Sequence, residues 1–198
     1  MRILLAGATG VIGERLVPLL VAAGHGVVGL TRTPSKVAQL EAAGATGVVV
    51  DILDAAAVRA AAVAAAPDIV MHQVTDLPDR ALAMPLKVRA LGRVRTVGTD
   101  NLVAAAAATD ARVIAQSIAF PVPAIAQRPV DHLERAVQGA RGLVLRYGQF
   151  WGEGTWARSA PKGGRALHVD TAAQRTVEAL DEPGGILEVL DSGVTRIG

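Results

Sequence analysis

Residues 2–13 read Arg-Ile-Leu-Leu-Ala-Gly-Ala-Thr-Gly-Val-Ile-Gly, and no other stretch restricts the fold of this chain as strongly. A short apolar strand, residues 3–6, runs into glycines at positions 7, 10 and 13. The segment after them places Ile12, Leu16, Leu19, Leu20 and Ala23 on one face of a helix. Strand, glycine turn and helix form the opening unit of an α/β fold that holds a dinucleotide. Gly7 permits a sharp exit from the strand. Gly10, lacking a Cβ, lets a pyrophosphate approach the backbone, and Gly13 lets the helix pack close to the sheet. The first-turn amides and the positive end of the helix dipole then face the phosphates. The candidate cofactor contacts in this loop are Gly7, Thr9, Gly10, Val11, Ile12 and Gly13. The spacing is G-x-x-G-x-x-G, and an ordinary strand-to-helix turn is the competing reading. Pro18 falls inside the helical pattern and predicts a kink.

The rest of the chain alternates strand and helix. Residues 27–31 read as a second strand, ending in Thr31-Arg32-Thr33. A carboxylate at this position would bind ribose hydroxyls and repel a 2′-phosphate, whereas a guanidinium pairs with that phosphate. Arg32 therefore predicts NADP in preference to NAD, with Thr33, Ser35 and Lys36 as helpers. Residues 48–51 read as a third strand. At its end Asp51 has two readings, an acceptor for an adenine amino group or a turn residue before the helix at 55–65, with Ile52 against the adenine ring. Residues 69–73 are a fourth strand. Gln73 at its end is a candidate cofactor contact, and His72 reads as a half-buried strand-end histidine.

A connection is expected at 78–85, then a long helical pattern over 86–109 with interruptions at Gly92 and Gly98. Its basic residues Lys87, Arg89, Arg93 and Arg95 read as one solvated face. Residues 112–116 are a fifth strand ending at Ser117. Pro121, Pro123 and Pro129 predict an extended loop, after which Asp131 caps a short helix with Glu134 three residues on. A sixth strand at 142–146, a loop at 147–155, a helix at 171–180 and a strand at 186–190 complete the pattern. Five strand–helix repeats predict a doubly wound parallel sheet. The 198 residues suit a single domain, with 1–148 as the cofactor-binding core and 149–198 as a reduced substrate-side region.

Composition excludes several classes of function. With no cysteine there is no disulfide framework, thiol nucleophile or thiolate metal site, and no metal is expected. The net charge of +2 comes without any dense Lys/Arg tract, so nucleic acid is not the expected partner. No charge-free run is long enough for a membrane span. The first strand begins at once, leaving no room for a signal peptide, so a cytoplasmic protein is expected. Tyr147, Phe150, Trp151 and Trp156 group in one loop-like stretch, as a ligand-site wall or as a cap on the core.

Several motifs, in order along most of the chain, carry a family resemblance. They are Gly7–Gly13, Asp51-Ile52, Gly98-Thr99-Asp100-Asn101-Leu102, Gln116-Ser117, Arg146-Tyr147-Gly148 followed by Gly152-Glu153-Gly154-Thr155, and His168-Val169-Asp170. Together they resemble the short-chain dehydrogenase/reductase superfamily of the extended and atypical type, in particular its NAD(P)-dependent epimerase/dehydratase group. The resemblance implies a Rossmann fold, a nicotinamide cofactor and a substrate pocket formed largely by the C-terminal part. In that family a serine at the end of the fifth strand polarises the substrate oxygen, and Ser117 matches it. A tyrosine and a lysine four residues later supply the acid/base, and no Tyr-x-x-x-Lys exists here. The only tyrosine, Tyr147, is followed four residues on by Trp151 and matches a different element, the substrate-side loop. It remains a candidate proton donor beside His72 and water. The chain is also short between Ser117 and Asp131 and between Thr155 and His168.

The expectation is an NADP-dependent oxidoreductase acting on a small carbonyl or sugar-like substrate. The alternatives are a non-catalytic NADP(H)-binding sensor or interaction module, and a relative that keeps the fold and binds nothing well. The resemblance also implies a homodimer through helices flanking the fifth and sixth strands, a role for which a helix starting at Asp131 is short.

Overall fold

The computed structural model describes residues 1–75 and 84–198, without the side chains of 84–88. The strands are β1 (Arg2–Ala6), β2 (Gly26–Thr31), β3 (Thr46–Val49), β4 (Ile69–His72), β5 (Arg112–Ile118), β6 (Leu143–Tyr147), β7 (Gln149–Trp151), β8 (Ala166–His168), β9 (Gly185–Leu190) and β10 (Gly193–Ile197). The helices are α1 (Gly13–Ala22), α2 (Val37–Ala42), α3 (Ala55–Ala65), α4 (Met84–Arg93), α5 (Thr99–Ala108), α6 (Ala124–Gly139) and α7 (Val169–Glu178). Eight strands form one sheet in the order β10-β9-β6-β5-β4-β1-β2-β3, and β7 pairs with β8 apart from it. Every neighbouring pair in the large sheet is parallel except β9–β10. This is the doubly wound Rossmann arrangement that the alternation predicts.

Both faces of the inner sheet are covered, which is why β1, β4 and β6 read as largely apolar, buried runs rather than alternating ones, while β10 at the edge is exposed. Successive side chains of one strand feed opposite layers. Ile3 and Leu5 of β1 join one core, with Leu16 and Leu20 of α1 and Ala172 and Ala173 of α7. Leu4 and Ala6 join the other, with Val58 and Ala62 of α3, Leu102 of α5 and Leu133 of α6. Pro18 sits within α1 on its exposed side, where water can satisfy the carbonyl left without a donor.

Three expectations need correction. Pro129 lies inside α6, which runs from Ala124 to Gly139, so Asp131 is a mid-helix residue and caps nothing. Its carboxylate instead accepts from Gln127 Nε2, one turn back, at 2.7 Å. Val130, Leu133, Glu134 and Val137 bury one helical stripe, and that burial outweighs a proline near the helix start. The shortness that counted against this helix as a dimer element therefore disappears.

The second correction concerns the long helical pattern. It is a single run in which α4 passes through a π-helical turn, Val94–Gly98, into α5. Arg89 and Arg93 are exposed, but Arg95 is buried, so the basic residues do not share one solvated face. Arg95 continues the stripe of Leu91, Gly98 and Leu102 at helical spacing. Lys87 and the connection at 78–83 lie outside the described side chains and residues. Thirdly, β9 is not the last strand: β10 returns antiparallel beside it and forms that edge of the sheet. Among the described residues no helix is long and apolar enough to cross a membrane.

Candidate functional site

The C-terminal ends of β1, β2, β4, β5 and β6 open into one cleft of about 1020 Å³. This is the crevice where ligands sit in open α/β sheets. Gly7, Thr9, Gly10, Val11, Ile12, Arg32, Ile52, Gln73, Ser117 and Tyr147 all line it.

The glycine loop is shaped by close backbone contacts. Gly7 has φ +87°, and a Cβ there would stand 2.7 Å from the Gln73 backbone. A Cβ on Gly13 would stand 2.1 Å from the Gly7 carbonyl oxygen, so no other residue fits the α1–sheet contact. Gly13 is buried beneath the loop, whereas Gly10 is exposed on its rim. A Cβ on Gly10 would meet only the Gly7 carbonyl, at 3.3 Å.

Beside the loop, Thr31 is tied by its hydroxyl to that of Thr9, at 3.1 Å. Lys36 Nζ donates to the Thr9 carbonyl at 3.1 Å and lies 3.5 Å from Glu14 Oε1. Arg32 and Thr33 are exposed at the cleft mouth. Asp51 accepts from Leu53 N at 3.0 Å, the geometry of its turn reading. Ile52 is held more firmly: Asn101 Nδ2 donates to its carbonyl at 2.8 Å, and its side chain fills the space a Cβ on Gly98 would take. That packing explains why Gly98 and Asn101 belong to one motif.

The middle of the cleft carries the polar groups. Thr176 Oγ1 donates to the Ala172 carbonyl at 2.6 Å, so the Tyr147 hydroxyl donates to Thr176 at 2.5 Å and accepts from Gln73 Nε2 at 3.3 Å. Burial pushes Tyr147 up to about 12. Gln73 Oε1 is left buried with no hydrogen-bond partner among the described residues. His72 is fully buried rather than half-buried. Its Nδ1 accepts from Val74 N at 3.2 Å, and burial, then Arg95, lower its pKa to about 4.

Ser117 Oγ donates to Glu134 Oε1 at 2.6 Å. Glu134 is itself gripped by Arg146, whose Nε and Nη2 reach its two oxygens at 2.8 and 2.5 Å. That hydrogen bonding pushes the Arg146 guanidinium further up. A hydroxyl whose proton goes to a carboxylate can accept from a ligand but has no second proton to donate.

Sequence reasoning missed Arg15, which fastens the C-terminal part over the glycine loop. From α1 it donates to Asp170 Oδ1 at 2.6 Å, to the Val11 carbonyl at 2.9 Å and to the Glu153 carbonyl at 2.8 Å. The motifs around 152–155 and 168–170 therefore meet through one guanidinium. Trp151 packs edge-on against His168, and Phe150 lies against Tyr147, so those aromatics brace the site rather than form one cluster.

The sequence model of the NAD dependent epimerase/dehydratase family matches residues 3–122, more than half of the chain. The chain belongs to the NAD dependent epimerase/dehydratase family. This family member is 39% identical to a 3-diazoavenalumate denitrifying reductase from a Streptomyces species, over 96% of this chain and 76% of that one. The alignment spans 235 positions, more than the 198 residues here, so the relative carries segments that this chain lacks. Among solved structures it resembles a UDP-glucose 4-epimerase from Thermotoga maritima, solved with UDP-glucose (TM-score 0.79, 16% identity, 99% of this chain and 79% of that one). It also resembles the UDP-glucose 4-epimerase of Thermus thermophilus in complex with NAD (TM-score 0.77, 20% identity, 99% and 79%). At those identities the likeness is one of fold.

Proposed function

We propose that this family member is an NADP-dependent oxidoreductase whose substrate accepts a hydride without needing a proton from the protein. The observation that carries the proposal is the glycine loop, which opens at Gly10 into the cleft beside the buried Gln73 Oε1, an acceptor with no partner among the described residues. A dinucleotide there would place its pyrophosphate on the loop and the first turn of α1. Arg32 and Lys36 would take the 2′-phosphate, Ile52 would face the adenine, and Gln73 would accept from the nicotinamide end. When bound, the cofactor supplies the hydride.

The cleft argues against a substrate that needs an acid. Its described titratable groups are Glu14, Arg32, Lys36, Arg95 and Tyr147. The Tyr147 proton is committed to Thr176 and held at about 12, and the Ser117 proton is committed to Glu134. A carbonyl acceptor would forgo the roughly 10²–10⁴-fold contribution of general acid catalysis. A cationic acceptor would not: a diazonium that gains a hydride and loses dinitrogen balances without a proton. The reductase named above, whose substrate is a diazo acid, supports this class.

The test has two stages. The full chain is first melted with NADP⁺ and with NAD⁺; at about 100 times Kd a ligand adds roughly 2.7 kcal/mol of stability. NADPH deuterated at C4 is then supplied with an aryl diazonium or with a panel of aldehydes and ketones, each against a protein-free control. Stabilisation by NADP⁺ and protein-dependent deuterium in the arene are expected. Turnover of carbonyls alone would overturn the substrate class. Stabilisation without turnover of any acceptor would leave a cofactor-binding sensor, and no stabilisation by either nucleotide would leave only the fold.

A further inference from the structure

Among the described residues the cleft holds one buried charged side chain for which the cofactor reading has no use. Arg95 lines it and is only 7% exposed. Among the described residues its guanidinium has no hydrogen-bonding or ion-pairing partner. Only burial shifts its pKa, downwards, with no described acidic neighbour pulling it back. The charged form is the one present at any ordinary pH. Among the described residues the titratable group facing it is His72, held neutral. A buried cation with no counter-ion among the described residues destabilises a fold, so its place in this cleft points to a ligand that supplies the missing charge.

The local backbone is also unusual. Arg95 sits in the π-helical turn Val94–Gly98, and such turns occur mostly as single insertions, often at functional sites. The Thr99 hydroxyl donates to the Arg95 carbonyl at 3.0 Å and helps to secure that turn. The wall of the same cleft also carries Gln116 and Ser117 as neutral polar groups and Leu91, Phe120 and Val122 as apolar ones. Ser117, whose hydroxyl proton points at Glu134, offers the cleft no second donor.

We propose that Arg95 holds the carboxylate of a substrate whose remaining body is apolar. One planar guanidinium matches the two oxygens of a carboxylate. A phosphate dianion would call for a second cation, and the other cations of the cleft, Arg32 and Lys36, belong to the β2 side beside the glycine loop. The inference rests on the cleft being a substrate site, as proposed above, but not on which nucleotide binds or on the reaction performed.

The test is calorimetric titration of the full chain, with and without NADP⁺, using 4-hydroxycinnamate, its methyl ester and phenyl phosphate as probes. The acid is expected to bind at least about tenfold more tightly than the ester, as a charge-assisted bidentate contact would give. Arg95→Leu should erase that difference, Arg95→Lys should keep part of it, and Arg95→Leu should melt no lower than wild type because it removes an unpaired buried charge. Equal binding of acid and ester by the wild type would overturn the proposal, as would preference for phenyl phosphate. A lower melting temperature for Arg95→Leu would show that the guanidinium has a partner within the fold and would also overturn it. Failure of NADP⁺ to stabilise the chain would sink the cofactor reading alone, since the acid–ester comparison is made without nucleotide as well.

Discussion

At the scale of single residues, two buried groups make measurable commitments. Glu134 neutralises Arg146 and holds Ser117, with its side chain 9% exposed and that of Arg146 31% exposed. Glu134→Ala leaves the guanidinium half-buried and unpaired. Partial exposure screens the loss, so about 2–3 kcal/mol of destabilisation is expected, or a fall of roughly 5–10 °C in Tm. The double change Glu134→Leu with Arg146→Met should recover most of it, and failure of that recovery would show that the pair does more than neutralise itself. His72 makes a pH prediction. Its pKa is about 4 in the fold against 6.5 in the unfolded chain, so between these values the unfolded chain binds more protons. Stability is therefore full above pH 6.5 and falls as the pH drops towards 4, by about 3 kcal/mol in total. Denaturant melts at stepped pH should show a flatter acid limb for His72→Phe. An unchanged limb would assign the acid sensitivity to other groups.

At the scale of elements, the glycine loop separates folding from binding. Gly13→Ala forces a Cβ against the Gly7 carbonyl at 2.1 Å, where backbone has to move. A loss of roughly 2–4 kcal/mol is expected, in the range of core overpacking and backbone strain. Gly10→Ala meets one atom at 3.3 Å and should fold within about 1 kcal/mol of wild type. On the proposed function it puts a methyl group where the pyrophosphate would approach, so stabilisation by NADP⁺ should largely disappear. If Gly10→Ala kept that stabilisation, the phosphates would not lie on this loop. The same element explains the reach of Arg15: its position on the first turn of α1 lets it touch the loop carbonyl of Val11, the carbonyl of Glu153 and the carboxylate of Asp170 at once.

At the scale of the whole molecule, the sheet connects both ends of the chain. β1 lies inside the sheet between β4 and β2, and β9 and β10 extend the same sheet beyond β6. The two cores use alternate residues of the same strands, so neither can loosen without disturbing the other. We expect a single cooperative unit: far-ultraviolet circular dichroism and tryptophan fluorescence should report one coincident transition. The fluorescence comes from Trp151 and Trp156, both within residues 149–198. An earlier fluorescence transition would mean that residues 149–198 unfold as a separate unit.

Local pattern was enough for the alternating architecture. Buried parallel strands must be apolar on both faces, and a strand entering a helix through Gly7 and Gly13 admits few other geometries. The positions of Arg32, Ile52 and Gln73 on one cleft also follow from that rule, because strand ends in this fold converge. The boundaries around α6 did not follow, since proline is a local signal and the buried stripe from Val130 to Val137 is a tertiary one. Arg95 was legible in part: its spacing from Leu91 and Leu102 marks the buried face, yet its charge argued for solvent. Only the packed structure decides between those signals, because burial depends on what lies opposite. The partners of Ser117 and Tyr147 were illegible for the same reason: Glu134 and Thr176 lie 17 and 29 residues away. Sequence alone determines the sheet, the glycine loop and the missing Tyr-x-x-x-Lys. The tertiary structure decides which hydroxyl protons are already engaged and which charge is buried in the cleft, because hydrogen bonds between distant residues form only when the fold brings them together.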